Sequence, residues 1–223
     1  TLWHTLSLHD ALPISADHTI DRNISLARSL GIDARPEDLR LSVSEDGRNY
    51  AQQLLETLGV QPREYIVLVP PTRWKTKMYP VKHWRTVAIE LAKRMPVVLL
   101  GSPDENERQL CGAIAEGIEG VTDLAGKTTI PRMVGVISES GGVICCDSAA
   151  KFIAPAVGAD CVVLIGPTRA ERTGPYRKGR AVVAQVSCQG CLHKECRHQT
   201  CMESIAPEVV LQAADAMIRA GAR

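Results

Sequence analysis

Six short apolar runs, rich in β-branched residues and separated by amphipathic stretches, constrain this 223-residue chain more than any other feature. They occupy residues 65–69, 97–100, 121–124, 143–146, 161–165 and 181–186. An unbroken apolar run of this length reads as a strand buried on both faces, the mark of a parallel sheet. Between the runs, residues 81–94, 105–116, 130–139 and 149–157 have helical character, and a last helix is expected near 207–220. Such alternation predicts an α/β fold: a doubly wound, Rossmann-like parallel sheet with right-handed crossovers.

Upstream, residues 20–30 and 46–58 read as helices stopped by Gly31 and Gly59, and residues 38–43 alternate like a strand. The organisation expected is a linker with helices over 16–60 and a ligand-binding domain over 61–223. Thr5-Leu-Ser-Leu-His-Asp-Ala-Leu-Pro-Ile14 resembles the in-frame translation of a sequencing-adapter oligonucleotide. Residues 1–15 are therefore set aside as a scar, with the natural N-terminus expected outside this sequence. The alternative, an amphipathic helix with Leu2, Leu6 and Leu8 on one edge, is opposed by Pro13.

Composition closes off several functions. The net charge of +1 gives no global attraction to nucleic acid or an anionic membrane. Eight aromatic residues, four Tyr, three Trp and one Phe, are too few for a base-stacking platform. No apolar run approaches the roughly 18 residues of a spanning helix.

The loops after the strands carry the chemistry, because ligands of open α/β sheets bind outside the carboxyl ends of the strands. The first loop, Pro70-Pro-Thr-Arg-Trp-Lys-Thr-Lys77, has no glycine, which argues against the Gly-x-Gly-x-x-Gly turn of a dinucleotide-binding oxidoreductase. Gly126-Lys127-Thr128 ends like a P-loop, but Val121 stands where its leading Gly belongs, so a kinase or ATPase reading is weak. What the first loop has is side-chain charge: Arg73, Lys75, Lys77, Lys82 and Arg85 fall within thirteen residues. Lys82 and Arg85 are expected on a solvated helix face. A second basic group, Arg169, Arg172, Arg177 and Lys178, follows the fifth strand, within or just after Gly166-Pro-Thr-Arg-Ala-Glu-Arg-Thr-Gly-Pro-Tyr176. Two cationic loops at one sheet edge suit a diphosphate.

These motifs resemble glycosyltransferase family 9, the ADP-heptose:lipopolysaccharide heptosyltransferases, over most of residues 20–210. Thr72-Arg-Trp-Lys-Thr-Lys-Met-Tyr-Pro80 with Trp84 looks like the family loop whose lysine, here Lys77, meets the nucleotide diphosphate. Gly101-Ser-Pro-Asp-Glu105 is similar to the loop whose Glu contacts the nucleoside. Leu124-Ala-Gly-Lys-Thr128 and Cys146-Asp-Ser148 match the next two loops, implicating Lys127, Asp147 and Ser148. The resemblance implies a donor-binding set of Thr72, Arg73, Lys77, Glu105, Lys127, Asp147, Ser148, Thr168 and Arg169 in the C-terminal domain of a GT-B enzyme. It implies transfer of heptose from ADP-heptose to a lipopolysaccharide inner-core acceptor, inverting and without a catalytic cofactor. The setting implied is the cytoplasm, peripheral to the inner membrane. The catalytic base is expected in an N-terminal domain outside this sequence, leaving these residues inactive in transfer by themselves. Ser148 also suits a plain helix cap. One departure is marked: Phe152 stands where the family carries His, and Lys151 beside it could supply charge. Another sugar nucleotide, or a non-catalytic nucleotide-binding module, is the alternative.

Eight cysteines complete the reading. Cys111, Cys145, Cys146 and Cys161 lie in apolar runs and are expected to be buried. Cys188, Cys191, Cys196 and Cys201 fall within fourteen residues with His193 and His198 interleaved. A structural Zn site, a pair of disulfides and free packing thiols all fit that spacing.

Overall fold

The computed structural model describes residues 18–221. The expected scar at 1–15 lies outside them. Six strands, β1 (Ile66–Val69), β2 (Val97–Leu99), β3 (Val121–Asp123), β4 (Val143–Cys146), β5 (Cys161–Ile165) and β6 (Arg180–Val183), form one sheet of order β3-β2-β1-β4-β5-β6. Every pairing is parallel. The chain winds outward from β1 to β3, returns, and winds outward again from β4. The crossing point between β1 and β4 is where loops diverge and leave a crevice.

Side chains alternate across the strands and so build two cores. On one face Ile66, Leu68, Val97, Leu99, Ile144 and Leu164 meet α3 (Val81–Ala92), α4 (Glu105–Ala115) and α9 (Pro207–Gly221) around the fully buried Trp84. On the other, Tyr65, Val67, Val98, Val143, Cys145 and Val163 meet α2 (Glu45–Leu58), α5 (Ile130–Glu139) and α6 (Ala150–Ala156). The α2–α5 contact is backbone against backbone: a Cβ on Gly135 would stand 2.1 Å from the Gly47 carbonyl oxygen. Any side chain at Gly135 would push the two helices apart.

Cys111, Cys145, Cys146 and Cys161 are all buried, and burial pushes the thiols of Cys111, Cys146 and Cys161 up to about 12. They are inert core residues.

Two local expectations fail. Residues 38–43 form no strand. Pro36–Asp38 is instead a single 3₁₀ turn in which the Arg35 backbone N–H donates to the Asp38 carboxylate at 2.8 Å. The segment then crosses the end of α6, where the Leu41 N–H donates to the Ala156 carbonyl. The segment lies against the end of α6 rather than along either open edge, β3 or β6, so its alternation gives a tether and not a strand, and Leu41 stays exposed. Nor does Ser148 cap a helix: α6 starts after Ala149, with no side-chain cap, and among the described residues the buried Ser148 hydroxyl has no hydrogen-bond partner.

Candidate anion and nucleotide site

Four strands deliver their loops to the crossing point. Val69 and Pro71 after β1, Gly101–Pro103 after β2, Thr128 and Thr129 after β3, and Ser148 and Ala149 after β4 surround a cleft of about 270 Å³. Its lining is mostly apolar, with Pro71, Ile130 and Met133 beside small loop residues and Glu107 at one side, which suits a flat ring system. A larger groove of about 600 Å³ runs past Arg85, Ile89 and Gly120 at the amino edge of the sheet, far from the loops that carry the chemistry. Volume alone does not locate the site.

Beside the cleft, Asp147 organises a buried polar hub. It follows directly on β4, where its side chain meets residues of the loops after β1 and β5. Its carboxylate, 1% exposed, accepts from Lys77 Nζ at 2.8 Å and from Thr168 Oγ1 at 2.7 Å, and pairs with Lys151 on its other oxygen. The Thr72 hydroxyl donates to the Asp147 carbonyl at 3.1 Å, tying the first loop to the fourth. Burial alone would raise the Asp147 carboxyl. The Lys151 charge, with hydrogen bonds from Lys151, Lys77 and Thr168, outweighs it and holds the group below the ordinary Asp value.

Lys77 is set by local structure. Lys75–Lys77 is a single 3₁₀ turn, and the turn turns its ammonium back toward Asp147 with Nζ 4.2 Å from the Trp74 ring centre. The Thr76 hydroxyl donates to the His193 carbonyl at 2.9 Å. The Lys77 side chain keeps 15% exposure, on the side open to solvent.

The structure therefore brings Thr72, Lys77, Asp147 and Thr168 together and leaves others apart. Arg73 and Arg169 are exposed at the loop tips. Glu105 lies on the α4 surface with Arg108 and Gln109, while Glu107 lines the cleft and accepts from the Ser102 N–H at 2.7 Å. Lys127 is exposed and donates to the Asp123 carbonyl. Of the basic group after β5, Arg177 is taken up by the chain itself, and Arg172 contributes its backbone. Arg177 pairs with Glu37, and Thr19, at the start of α1 (Thr19–Ser29), donates to the Arg172 carbonyl. The Tyr176 hydroxyl meets Asp21. Arg85 is not on a solvated face either; it donates to the Ala113, Ile114 and Glu116 carbonyls and so closes the end of α4. Lys151 is the hub residue that loop reading underweights. Its signal was present as an i,i+4 Asp–Lys spacing entering an otherwise apolar helix.

The cysteine loop leans on the same two loops. Gln189 donates to the Thr168 carbonyl at 2.9 Å, and the Leu192 N–H donates to the Pro167 carbonyl at 2.7 Å. Cys188, Cys191, Cys196 and Cys201, with His193 and His198, line a cavity of about 200 Å³. All four are free thiols. Among the described residues no three His, Cys, Asp or Glu side chains converge closely enough to hold a metal ion.

Known proteins place this architecture. Residues 4–202 match the profile of glycosyltransferase family 9 (heptosyltransferase). A relative, lipopolysaccharide heptosyltransferase 3 of Escherichia coli (strain K12), is 32% identical over 170 residues, 75% of this chain and 49% of its own. Among solved structures, a glycosyltransferase family 9 protein of Veillonella parvula superposes with a TM-score of 0.78 at 20% identity, covering 94% of this chain and 62% of its own. The E. coli heptosyltransferase WaaC, solved with ADP, gives 0.65 at 20% identity, covering 91% and 57%. The chain spans about half the length of the curated relatives it matches. It belongs to glycosyltransferase family 9, the heptosyltransferases.

Proposed function

We propose that these residues form the donor-binding part of a GT-B heptosyltransferase that moves heptose from ADP-heptose to a lipopolysaccharide inner-core acceptor with inversion. The observation that carries this reading is the adjacency of the 270 Å³ cleft to the Lys77–Asp147–Thr168 hub. The adenosine would enter the cleft, and the diphosphate would lie against Lys77, with Arg73 and Arg169 at the rim. WaaC, a fold neighbour, was solved with ADP. As the acceptor hydroxyl attacks the anomeric carbon, charge develops on the departing diphosphate, and Lys77 would neutralise it without a catalytic metal. The base that takes the acceptor proton is proposed to lie outside these residues, so the chain would bind ADP but not transfer sugar. The proposed setting is the cytoplasm, against the inner membrane; among the described residues no helix is long and apolar enough to cross a membrane.

A second reading, a nucleotide-binding module without transfer or one for another sugar nucleotide, is favoured by Asp147. Its carboxylate is already taken by two lysines and a threonine, with only 1% of the side chain exposed to a sugar hydroxyl. Calorimetric titration with ADP, ADP-heptose and UDP-sugars separates these. A heptosyl-transfer assay, with and without the remainder of a full-length relative, decides the catalytic part.

We also propose that Cys188, Cys191, Cys196 and Cys201 hold a structural Zn once the loop side chains turn inward. The support is an all-thiolate donor set around one cavity. About one Zn per chain, lost in Cys191→Ser, is the expected result; four reactive thiols in metal-free protein would refute it.

A further inference from the structure

We propose that Lys151 is a positioning residue that frees Lys77 to leave Asp147 for an anionic ligand; this rests on the diphosphate reading above. The argument is one of charge. The hub holds one carboxylate and two ammoniums, and among the described residues the ion pairs of Lys77 and Lys151 are those with Asp147. Its net charge is therefore one positive unit, at side-chain exposures of 1% for Asp147, 6% for Lys151 and 15% for Lys77. The two lysines are not equivalent. Lys151 is enclosed, with its ammonium 4.6 Å from the Phe152 ring centre. Lys77 reaches Asp147 from a loop turn and retains contact with solvent.

Consider what happens when Lys77 moves to a phosphate oxygen. With a single lysine, the move would strand a buried carboxylate without a counter-charge, which is strongly unfavourable. Lys151 removes that penalty. It stays on the other Asp147 oxygen, and Thr168 stays on the first, so the departure of Lys77 leaves a neutral, hydrogen-bonded pair behind. The bound state then has Lys77 with the anion and Lys151 with Asp147, two balanced pairs in place of one surplus charge.

The test is a double-mutant cycle on ADP binding, read by calorimetry on the full chain, with pyrophosphate as a second probe. Lys151→Met keeps the length of the side chain and removes the charge. It should weaken ADP and pyrophosphate by about tenfold, and Lys151→Arg should restore most of that. In the Lys77→Ala background, Lys151→Met should change neither affinity, because its effect passes through Lys77. If Lys151→Met fails to fold, Asp147→Asn with Lys151→Met, which removes both charges together, takes its place; it should bind ADP about as tightly as wild type, because no buried carboxylate is left for Lys77 to strand, and a tenfold loss would overturn the inference. Unchanged affinity in Lys151→Met while wild type binds ADP would overturn the inference and leave the diphosphate reading intact. Additive losses in the cycle would also overturn it, making Lys151 a direct ligand. No binding by wild type would remove the diphosphate reading itself, and the inference with it.

Discussion

Two polar clusters brace the same pair of loops, and they differ in how their groups are satisfied. Around Asp147, a buried carboxylate meets two ammoniums and a hydroxyl. Around the 200 Å³ cavity, four free thiols line the wall without three of them converging, among the described residues, and Cys196 meets His198 at 3.6 Å. The first cluster is saturated: each donor already has a partner on Asp147 before any ligand arrives. The second is held by its backbone, through Gln189, Leu192 and the Thr76–His193 bond, while its side chains remain uncommitted. A saturated charge cluster and a set of free thiols therefore share a scaffold.

The largest effect should come from Asp147→Ala. It leaves two lysines facing each other without a counter-ion and should lower unfolding free energy by about 3–5 kcal/mol in a denaturant titration. Asp147→Ala no worse than an average surface change would mean the hub is not a unit. Next, Lys77→Ala should weaken ADP by about 1.5–3 kcal/mol, the range for hydrogen bonds to charged groups. Lys82→Ala, on the exposed face of α3, should leave affinity unchanged.

The hub should also show in acid. Because the folded Asp147 carboxyl is held below its ordinary value, its stabilising contribution is complete above about pH 4 and is lost as pH falls through the lower folded value. Thermal unfolding of Asp147→Asn should accordingly be flatter than wild type across that acid limb. A parallel pair of curves would assign the acid sensitivity elsewhere.

On the cysteine side, Cys191 is exposed, so Cys191→Ser in chelator-treated protein should move stability by no more than about 0.5 kcal/mol. A loss matching that of Asp147→Ala would erase the contrast between the clusters. The smallest effect belongs to Ser148→Ala. Its buried hydroxyl has no partner among the described residues, so its removal should be neutral or slightly stabilising, within about 0.5 kcal/mol by denaturant unfolding.

The sheet was legible in the sequence because both faces of every central strand are buried, and that writes an unbroken apolar run into the chain. Strand β4 and helix α5 fall on the residues that periodicity assigns. The tether at 38–43 was misread because alternation records local pattern, whereas a strand must also lie along an open edge. The convergence of Thr72, Lys77, Asp147 and Thr168 could be inferred from loops placed at one sheet edge. What the loops do with their remaining charge could not. Arg177 turning to Glu37, and Arg85 to the end of α4, depend on which elements fold against them, over separations of 140 and about 30 residues. Ser148 looked like a cap because the motif suits one, but the cap position falls one residue later, on Ala149, and Lys151 in the first turn of α6 reaches back to Asp147.

The central claim, that the loops after β1, β4 and β5 form one nucleoside diphosphate site, is tested most directly by titrating ADP into the purified chain beside Lys77→Ala and Lys82→Ala. The account predicts one ADP per chain, a loss of about 1.5–3 kcal/mol in Lys77→Ala and none in Lys82→Ala. No binding by the wild-type chain, or equal losses in both variants, would contradict it.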